Sequence, residues 1–544
     1  MLGSQLIIRT LHERGVRTIF SLSGNQIMPL YDACLDVGIR IVHVRHEAAA
    51  VFMADAWAQV TGELGVAMLT AAPGIANGIA PLYSALQAET PLLLLSGDSA
   101  VGEDGSGAFQ EIDQVSITSP LTKLSLRPAT IQEICPALDS AITTAFAPRP
   151  GPVHLALPFD LLTAETGLED VPKAATRPGG SALDAGELAK LTTLVSEAKR
   201  PLVLAGPAAA RPHMRATCEE LRDRLGVPVV PMESPRGLKD PSLGSLSDVI
   251  PDADLILLAG KCLDFTLGFG GAATLGRDSR VAVIDPDAKM LERARRLLGD
   301  RLVLALHADP IPALTALQVE PRVGERTAWT SRLDEALRYR GNRSPDGAGG
   351  DSLGPRALCE TVQSFLSCAD DPIVICDGGE FGQWAQAFCQ APIRIINGMS
   401  GAIGAGVCYA VAAKIARPGS TVVVLMGDGT AGFHLMEFDT AVRENAPIVA
   451  VIGNDLRWNA EHLIQVRTYG PQRLIGCELS PTARYHDVVA ALGGVGFTAT
   501  SAESLRAALD SAMSSGRPAC INAALAGEPA PVFSASGRAT TSSH

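Results

Sequence analysis

Aromatic residues make up only 4% of this chain, and basic residues are in the minority: 45 Lys and Arg stand against 58 Asp and Glu, a formal net charge of −13. No run of basic residues is interleaved with aromatics, which argues against a nucleic-acid partner, since such partners are held by cationic surfaces and stacking rings. No stretch reaches the ~18 consecutive apolar residues that a membrane span requires. The first residues, Met1 to Gln5, enter an amphipathic helical pattern without the basic leader of a secretory signal, so a cytoplasmic location is expected. The 11 cysteines are odd in number, scattered and free of any C-x-x-C pair, which fits buried thiols in a reducing compartment better than a disulfide framework.

What remains is the composition of a large α/β protein. At 544 residues with 47% hydrophobic content the chain can build several cores, and roughly three or four domains are expected from length. Plentiful Gly and Ala suit helices packed closely on parallel sheets. Short β-like runs at 18–22, 39–44, 65–71 and 91–96 alternate with helical patterns, the mark of doubly wound parallel sheets. Compositional breaks fall at 166–181, rich in charge, Pro and Gly, and at 338–354, a linker. These divide the chain into three doubly wound α/β domains, 1–165, 185–335 and 353–528, followed by a Pro-, Ser- and Thr-rich tail, 529–544.

The third domain holds the most specific pattern. An apolar run at 421–426 delivers Gly427-Asp428-Gly429 at a strand end, where glycines let backbone N–H groups approach phosphate oxygens and Asp428 offers a carboxylate to a hard cation. Gly-Asp-Gly alone is ordinary turn chemistry. Here, however, about two dozen residues follow, enough for a helix (437–445) and a return strand (448–452), before a second turn carrying Asn454, Asp455 and Arg457.

Together the two turns resemble the signature of thiamine diphosphate (ThDP) enzymes. Within that family the chain looks like the acetolactate synthase, pyruvate decarboxylase and 2-hydroxyacyl-CoA lyase group, over most of its length. The resemblance implies ThDP and Mg²⁺ as cofactors, with Gly427, Asp428, Gly429 and Thr430 at the diphosphate and Asp428, Asp455 and the backbone carbonyl of Arg457 at the metal. Relatives commonly have Asn-Asn where this chain has Asn454-Asp455, and a slip of one residue would make Asn454 the ligand instead.

The same resemblance gives roles in the first domain. Glu47, in an Arg-His-Glu sequence opening an Ala-rich helix, matches the Glu that hydrogen-bonds the aminopyrimidine ring; without the diphosphate motif it would read as a helix-dipole partner. Pro73 and Asn77 lie in a turn resembling T-x-G-P-G-x-x-N, Gln110 in one resembling A-F-Q-E, and Asn25 and Gln26 in the loop facing substrate. Each could equally satisfy local backbone. In the third domain Glu380 and Phe381 match a diphosphate-side loop, Gly401 the carbonyl that receives the 4′-amino group, and Ile403 the apolar residue propping the bent cofactor.

Glu461 stands where pyruvate and indolepyruvate decarboxylases carry a proton-transferring Glu, although their paired histidines are missing and Gln110 and Glu111 stand there instead. Its bland alternative is a solvated helix start with His462. In the central domain only Gly206 remains of a Gly-rich turn that acetolactate synthases place against FAD, so FAD is not expected, while Cys262 to Gly270 resembles a segment of hydroxyacyl-CoA lyases.

The resemblance thus implies an acetolactate synthase-like 2-oxo acid decarboxylase or carboligase. A 2-hydroxyacyl-CoA lyase or oxalyl-CoA-type decarboxylase is the first alternative, and a non-catalytic ThDP-fold binding or assembly protein the second. Glu47, Gln26, Gln110 and Glu461 are the expected catalytic and substrate-orienting groups. Because family members pair the first domain of one subunit with the third of another, a homodimer or homotetramer is expected, acting on a small 2-oxo acid or acyl-CoA.

Overall fold

A computed structural model describes residues 1–171, 180–319, 324–341 and 353–534. The breaks expected at 166–181 and 338–354 and the tail at 529–544 lie partly or largely outside these residues.

Among the described residues, seventeen strands form three sheets, all parallel. The first contains β1 (Thr18–Ser21), β2 (Arg40–His43), β3 (Gly65–Leu69), β4 (Leu92–Asp98), β5 (Leu124–Leu126) and β6 (Pro152–Pro158), in the order β2-β1-β3-β4-β6-β5. The central sheet has β7 (Pro201–Ala205), β8 (Val229–Pro231), β9 (Leu255–Ala259), β10 (Arg280–Ile284) and β11 (Leu302–Leu306), ordered β11-β10-β9-β7-β8. The third has β12 (Pro372–Asp377), β13 (Ile393–Ile396), β14 (Thr421–Gly427), β15 (Val449–Asn454), β16 (Val495–Ala499) and β17 (Ala519–Ala524), ordered β13-β12-β14-β15-β17-β16. The doubly wound α/β class expected from the alternation is the fold observed.

Each sheet starts one strand in from an edge and reverses direction at that first strand. The reversal opens a crevice beyond the carboxyl ends of the two diverging strands, the place where such sheets bind ligands. In the first sheet that crevice lies between the loops after β1 and β3; in the third, between those after β12 and β14. The sequence motifs sit at both.

The first and third sheets belong to one compact unit, and the central sheet to another. Within the first unit a single apolar cluster joins the helix Glu47–Thr61 to the helix Gly406–Ala416. Both are rich in alanine, and their small side chains let the backbones approach closely. A polar contact fixes their register: Tyr409 Oη donates to Asp55 Oδ2 at 2.8 Å while Gln59 Nε2 donates to Asp55 Oδ1 at 2.7 Å, so the buried carboxylate is satisfied on both oxygens. The Glu47 helix is capped by His46, whose Nδ1 accepts the Ala48 N–H at 3.1 Å, and stopped by Gly62 in the left-handed region.

Candidate active site

β14 is a run of valines closed by leucine and methionine, buried throughout until Gly427, as a central parallel strand must be. It ends by turning directly into the short helix Asp428–Ala431, which leaves Asp428, 2% exposed, at the mouth of the switch-point crevice. Asp428 Oδ1 accepts its neighbour's Gly429 N–H at 2.9 Å, whereas Oδ2 is buried without a hydrogen-bond partner. Leaving a carboxylate oxygen buried and unpaired costs on the order of a few kcal/mol of lost hydration unless something cationic meets it.

The second turn supplies its companion. Asn454 at the end of β15 is engaged in structure: Nδ2 donates to Asn522 Oδ1 at 3.1 Å and Oδ1 accepts the Leu456 N–H at 3.2 Å. Asp455 is left to face Asp428. Burial raises the Asp455 carboxyl to about 7, with Asp428 as the next cause. Burial likewise raises Asp428 to about 6, opposed by the backbone dipoles of Gly429, Leu456 and Arg457. The turn itself is tightened by Leu456 in the left-handed region at φ 61°. Two neighbouring carboxylates, one with a buried oxygen that lacks a partner and the other made harder to ionise by it, have the chemistry of a donor pair for a divalent cation, with carbonyl or water oxygens to complete the shell. Among the described residues no group of three or more His, Cys, Asp or Glu side chains converges in this way, so any further ligands must be of that neutral kind.

Around this pair the glycines leave room for rings. A Cβ on Gly429 would stand 2.7 Å from the Trp458 indole, and one on Gly453 would stand 2.7 Å from Phe381. Phe381, 7% exposed, thus packs over the end of β15, and Glu380 opens the same helix, Glu380–Phe388. Thr430 is buried with its hydroxyl toward Gly378 in the loop after β12.

Asp377, at the end of β12 and 1% exposed, was not singled out by the sequence. Its carboxylate accepts the Gly404 N–H at 3.1 Å and the Gly406 N–H at 2.6 Å, so it fastens the loop carrying Gly401 and Ile403 to the sheet. Burial raises it to about 6 against those same N–H groups. Gly401 is exposed and Ile403 half-buried on that loop.

In the first domain the structure joins two of the expected residues, Gln26 and Gln110, with Thr70 in a chain of hydrogen bonds across the switch point. Thr70 Oγ1 donates to Gln26 Oε1 at 2.6 Å, and Gln26 Nε2 donates to Gln110 Oε1 at 2.8 Å. Gln26 is wedged against Gly97, where a Cβ would stand 2.6 Å from its own Cβ. Gln110 adopts φ 61°, and Glu111 holds that loop by accepting the N–H groups of Gly105, Gly107 and Ala108 at 2.5, 2.9 and 3.0 Å. Glu47 forms a separate pair: Asn77 Nδ2, at the end of the short helix begun by Pro73, donates to Glu47 Oε2 at 2.9 Å. Glu461 lies exposed in the first turn of the helix Asn459–Tyr469, while His462 Nε2 faces Arg457 Nη1 at 3.3 Å. Asn25 opens a short 3-10 turn ahead of Gln26.

A strand-end cradle of small residues beside paired carboxylates, on a doubly wound sheet, has the chemistry to take a phosphate-bearing cofactor. Comparison with known sequences names the class. The N-terminal TPP binding domain of thiamine pyrophosphate enzymes matches residues 1–117, the central domain 188–317 and the C-terminal TPP binding domain 377–523. The chain belongs to the thiamine pyrophosphate enzyme family. It is 32% identical over 537 residues to the acetolactate synthase large subunit IlvG of Mycobacterium tuberculosis, covering 96% of this chain and 95% of that protein. It is 33% identical over 549 residues to 2-hydroxyacyl-CoA lyase 2 of Danio rerio, covering 91% of this chain and 86% of that one. Among solved structures, the thiamine diphosphate-dependent 4-hydroxybenzoylformate decarboxylase of Rhodococcus jostii shares the fold with a TM-score of 0.79 at 22% identity, over 98% of this chain and 99% of the other.

Proposed function

We propose that this enzyme is a ThDP- and Mg²⁺-dependent 2-oxo acid decarboxylase or carboligase of acetolactate synthase type. The observation that carries the cofactor assignment is the orphaned Asp428 Oδ2 beside Asp455, a pair whose chemistry fits a divalent cation. In that arrangement Asp428, Asp455 and the Arg457 carbonyl would hold Mg²⁺, while Gly427, Gly429 and Thr430 would receive the diphosphate. Gly401 offers a carbonyl to the 4′-amino group and Ile403 an apolar prop.

Bound ThDP supplies an electron sink for the carbanion left when a bond to a carbonyl carbon breaks. The chain's own groups set up that chemistry. Glu47 shares a proton with the aminopyrimidine ring, and its bond from Asn77 leaves Oε1 available for that task. Gln26 and Gln110, fixed by Thr70, present uncharged hydrogen-bonding groups suited to the carboxylate and carbonyl oxygens of a small oxo acid. Glu461 is assigned to proton delivery. Its exposure in a single chain, with that of Gly401 and Phe433, supports a homodimer or homotetramer in which a second subunit closes the site.

The similarity to 2-hydroxyacyl-CoA lyase 2 favours a second reading, cleavage of an acyl-CoA substrate. The two are separated by NMR product analysis of the purified protein with ThDP, Mg²⁺ and pyruvate, with and without an aldehyde acceptor or a 2-hydroxyacyl-CoA. Acetolactate, acetoin or acetaldehyde supports oxo acid chemistry. Inert pyruvate with consumption of the thioester moves the assignment to the lyase, and failure of both mixtures refutes the two together.

A further inference from the structure

The joint between the Glu47 helix and the third domain contains a histidine that neither the cofactor nor the fold accounts for. His434 Nδ1 lies 2.8 Å from the carbonyl of Gly404, in the loop that carries Gly401 and Ile403. A carbonyl oxygen only accepts, so Nδ1 carries the ring proton and donates. On its other sides the ring meets His46 edge-on at 5.9 Å and Phe52 at 5.6 Å between centroids. His46 is the residue that caps the helix beginning with Glu47. Burial lowers the His434 pKa while the Gly404 carbonyl pulls it the other way, and Nδ1 donates to that carbonyl in either protonation state.

Gly404 is held from both sides. Its N–H bonds to Asp377 on the sheet, its carbonyl bonds to His434, and at φ 97° a Cβ would stand 2.5 Å from the Phe433 Cβ, so only glycine fits. A second tie runs alongside: Glu437, 1% exposed, accepts the Arg45 N–H at 2.9 Å just ahead of the Glu47 helix, and Thr440 Oγ1 donates to its other oxygen at 2.6 Å. One face of the 434–440 segment therefore grips both the Gly401–Gly404 loop and the entry to the Glu47 helix.

We infer that His434 is a positioning residue: its Nδ1–H latches the loop bearing Gly401 and Ile403 while its ring seats the cap of the Glu47 helix, setting both cofactor-facing elements of one chain from a single side chain. The roles of Gly401, Ile403 and Glu47 rest on the function proposed above; the latch itself is independent of them.

The test separates the hydrogen bond from the packing. His434→Phe keeps a ring against His46 and Phe52 but removes the donor; His434→Asn returns an N–H donor near the Nδ1 position without the ring. Amide hydrogen exchange at Gly404, Gly406 and Ala48 in the full-length protein without cofactor is the first readout, and ThDP affinity in the presence of Mg²⁺, by tryptophan quenching, the second. Loss of one net hydrogen bond predicts exchange at Gly404 and Gly406 about tenfold faster and ThDP binding about tenfold weaker in His434→Phe. His434→Asn should restore exchange at Gly404 and Gly406, while Ala48, behind a His46 cap that has lost its packing ring, exchanges faster. A His434→Phe protein that matches the wild type, or equal losses in both variants, overturns the latch. Should His434→Phe not fold, His434→Asn decides alone: wild-type exchange at Gly404 and Gly406 supports the donor, and faster exchange there refutes it. A wild-type protein that binds no ThDP would refute the proposed function, and the exchange data would still decide the latch.

Discussion

Replacing Glu47 by Gln is the sharpest perturbation of the proposed chemistry, because the geometry separates what the substitution keeps from what it removes. The amide has the carboxylate's shape, and its oxygen can still accept the Asn77 Nδ2–H now made at 2.9 Å, so the start of the helix should not move. Cofactor binding loses at most one charge-assisted hydrogen bond's net worth, about 1.5–3 kcal/mol, which bounds the change in ThDP affinity at roughly 10- to 150-fold. Saturating ThDP removes that deficit. The proton-sharing function does not survive, since an amide cannot take up and return a proton near neutral pH, and its loss predicts a fall of about 10²–10⁴-fold in the step it serves. The assay is acid-quenched NMR of deuterium exchange at the thiazolium C2 of bound ThDP, which requires no knowledge of the substrate. Wild-type exchange in the variant under saturating cofactor would refute the role of Glu47 and favour the alternative of a non-catalytic ThDP-fold protein.

Asp428→Asn should leave a folded apoprotein yet abolish the rise in thermal midpoint on adding ThDP and Mg²⁺ together, because the neutral amide no longer complements the cation; an undiminished rise would remove Asp428 from the metal site. Gly429→Ala places a Cβ 2.7 Å from the Trp458 ring, and the forced shift of this half-buried indole should cost about 1–3 kcal/mol by denaturant titration and change the tryptophan emission. His154, fully buried between Ser96, Thr118 and Ser125, is held at about 3 by burial against an ordinary value of 6.5. The unfolded chain therefore binds a proton below that ordinary value which the folded chain refuses. Its contribution to stability is complete at neutral pH and falls by roughly 1.4 kcal/mol per unit as pH drops through the window between the two values. His154→Gln should remove that slope in urea midpoints taken at a series of pH values, and identical slopes would refute it.

Much of this was readable from the sequence where local chemistry decides. The valine run ending in Gly427-Asp428-Gly429 can only be a buried strand meeting a turn, and the strand runs from Thr421 to Gly427, one residue beyond the apolar stretch. β4 continues to Asp98, past the apolar run, because Ser96 and Asp98 find partners in the interior. The helix expected at 437–445 ends at Arg443, with Asn445 in the left-handed region two residues on. The choice between Asn454 and Asp455 was open in sequence, because it turns on Asn522, a partner in another strand. Asp377 and His434 were missed for the same reason: one Asp at a strand end and one His after a glycine-rich turn carry no periodicity, and their partners are set by tertiary packing. The Thr70, Gln26 and Gln110 chain shows the intermediate case, its members visible as motif residues but their mutual bonding visible only in three dimensions.

The helix seam between Glu47–Thr61 and Gly406–Ala416 also bears on how the molecule is made. The Asp55 to Tyr409 bond joins residues 354 positions apart, so at ordinary synthesis rates the cover for the Glu47 helix emerges roughly 20–70 s after the helix itself. During that interval the first sheet must hold its shape with one face bare and a carboxylate lacking its phenol partner. An alanine-rich face is suited to such a wait, since it offers less adhesive surface to neighbouring nascent chains than leucine or phenylalanine would. The small side chains that permit close packing in the finished protein thus also limit aggregation while its last third is still on the ribosome.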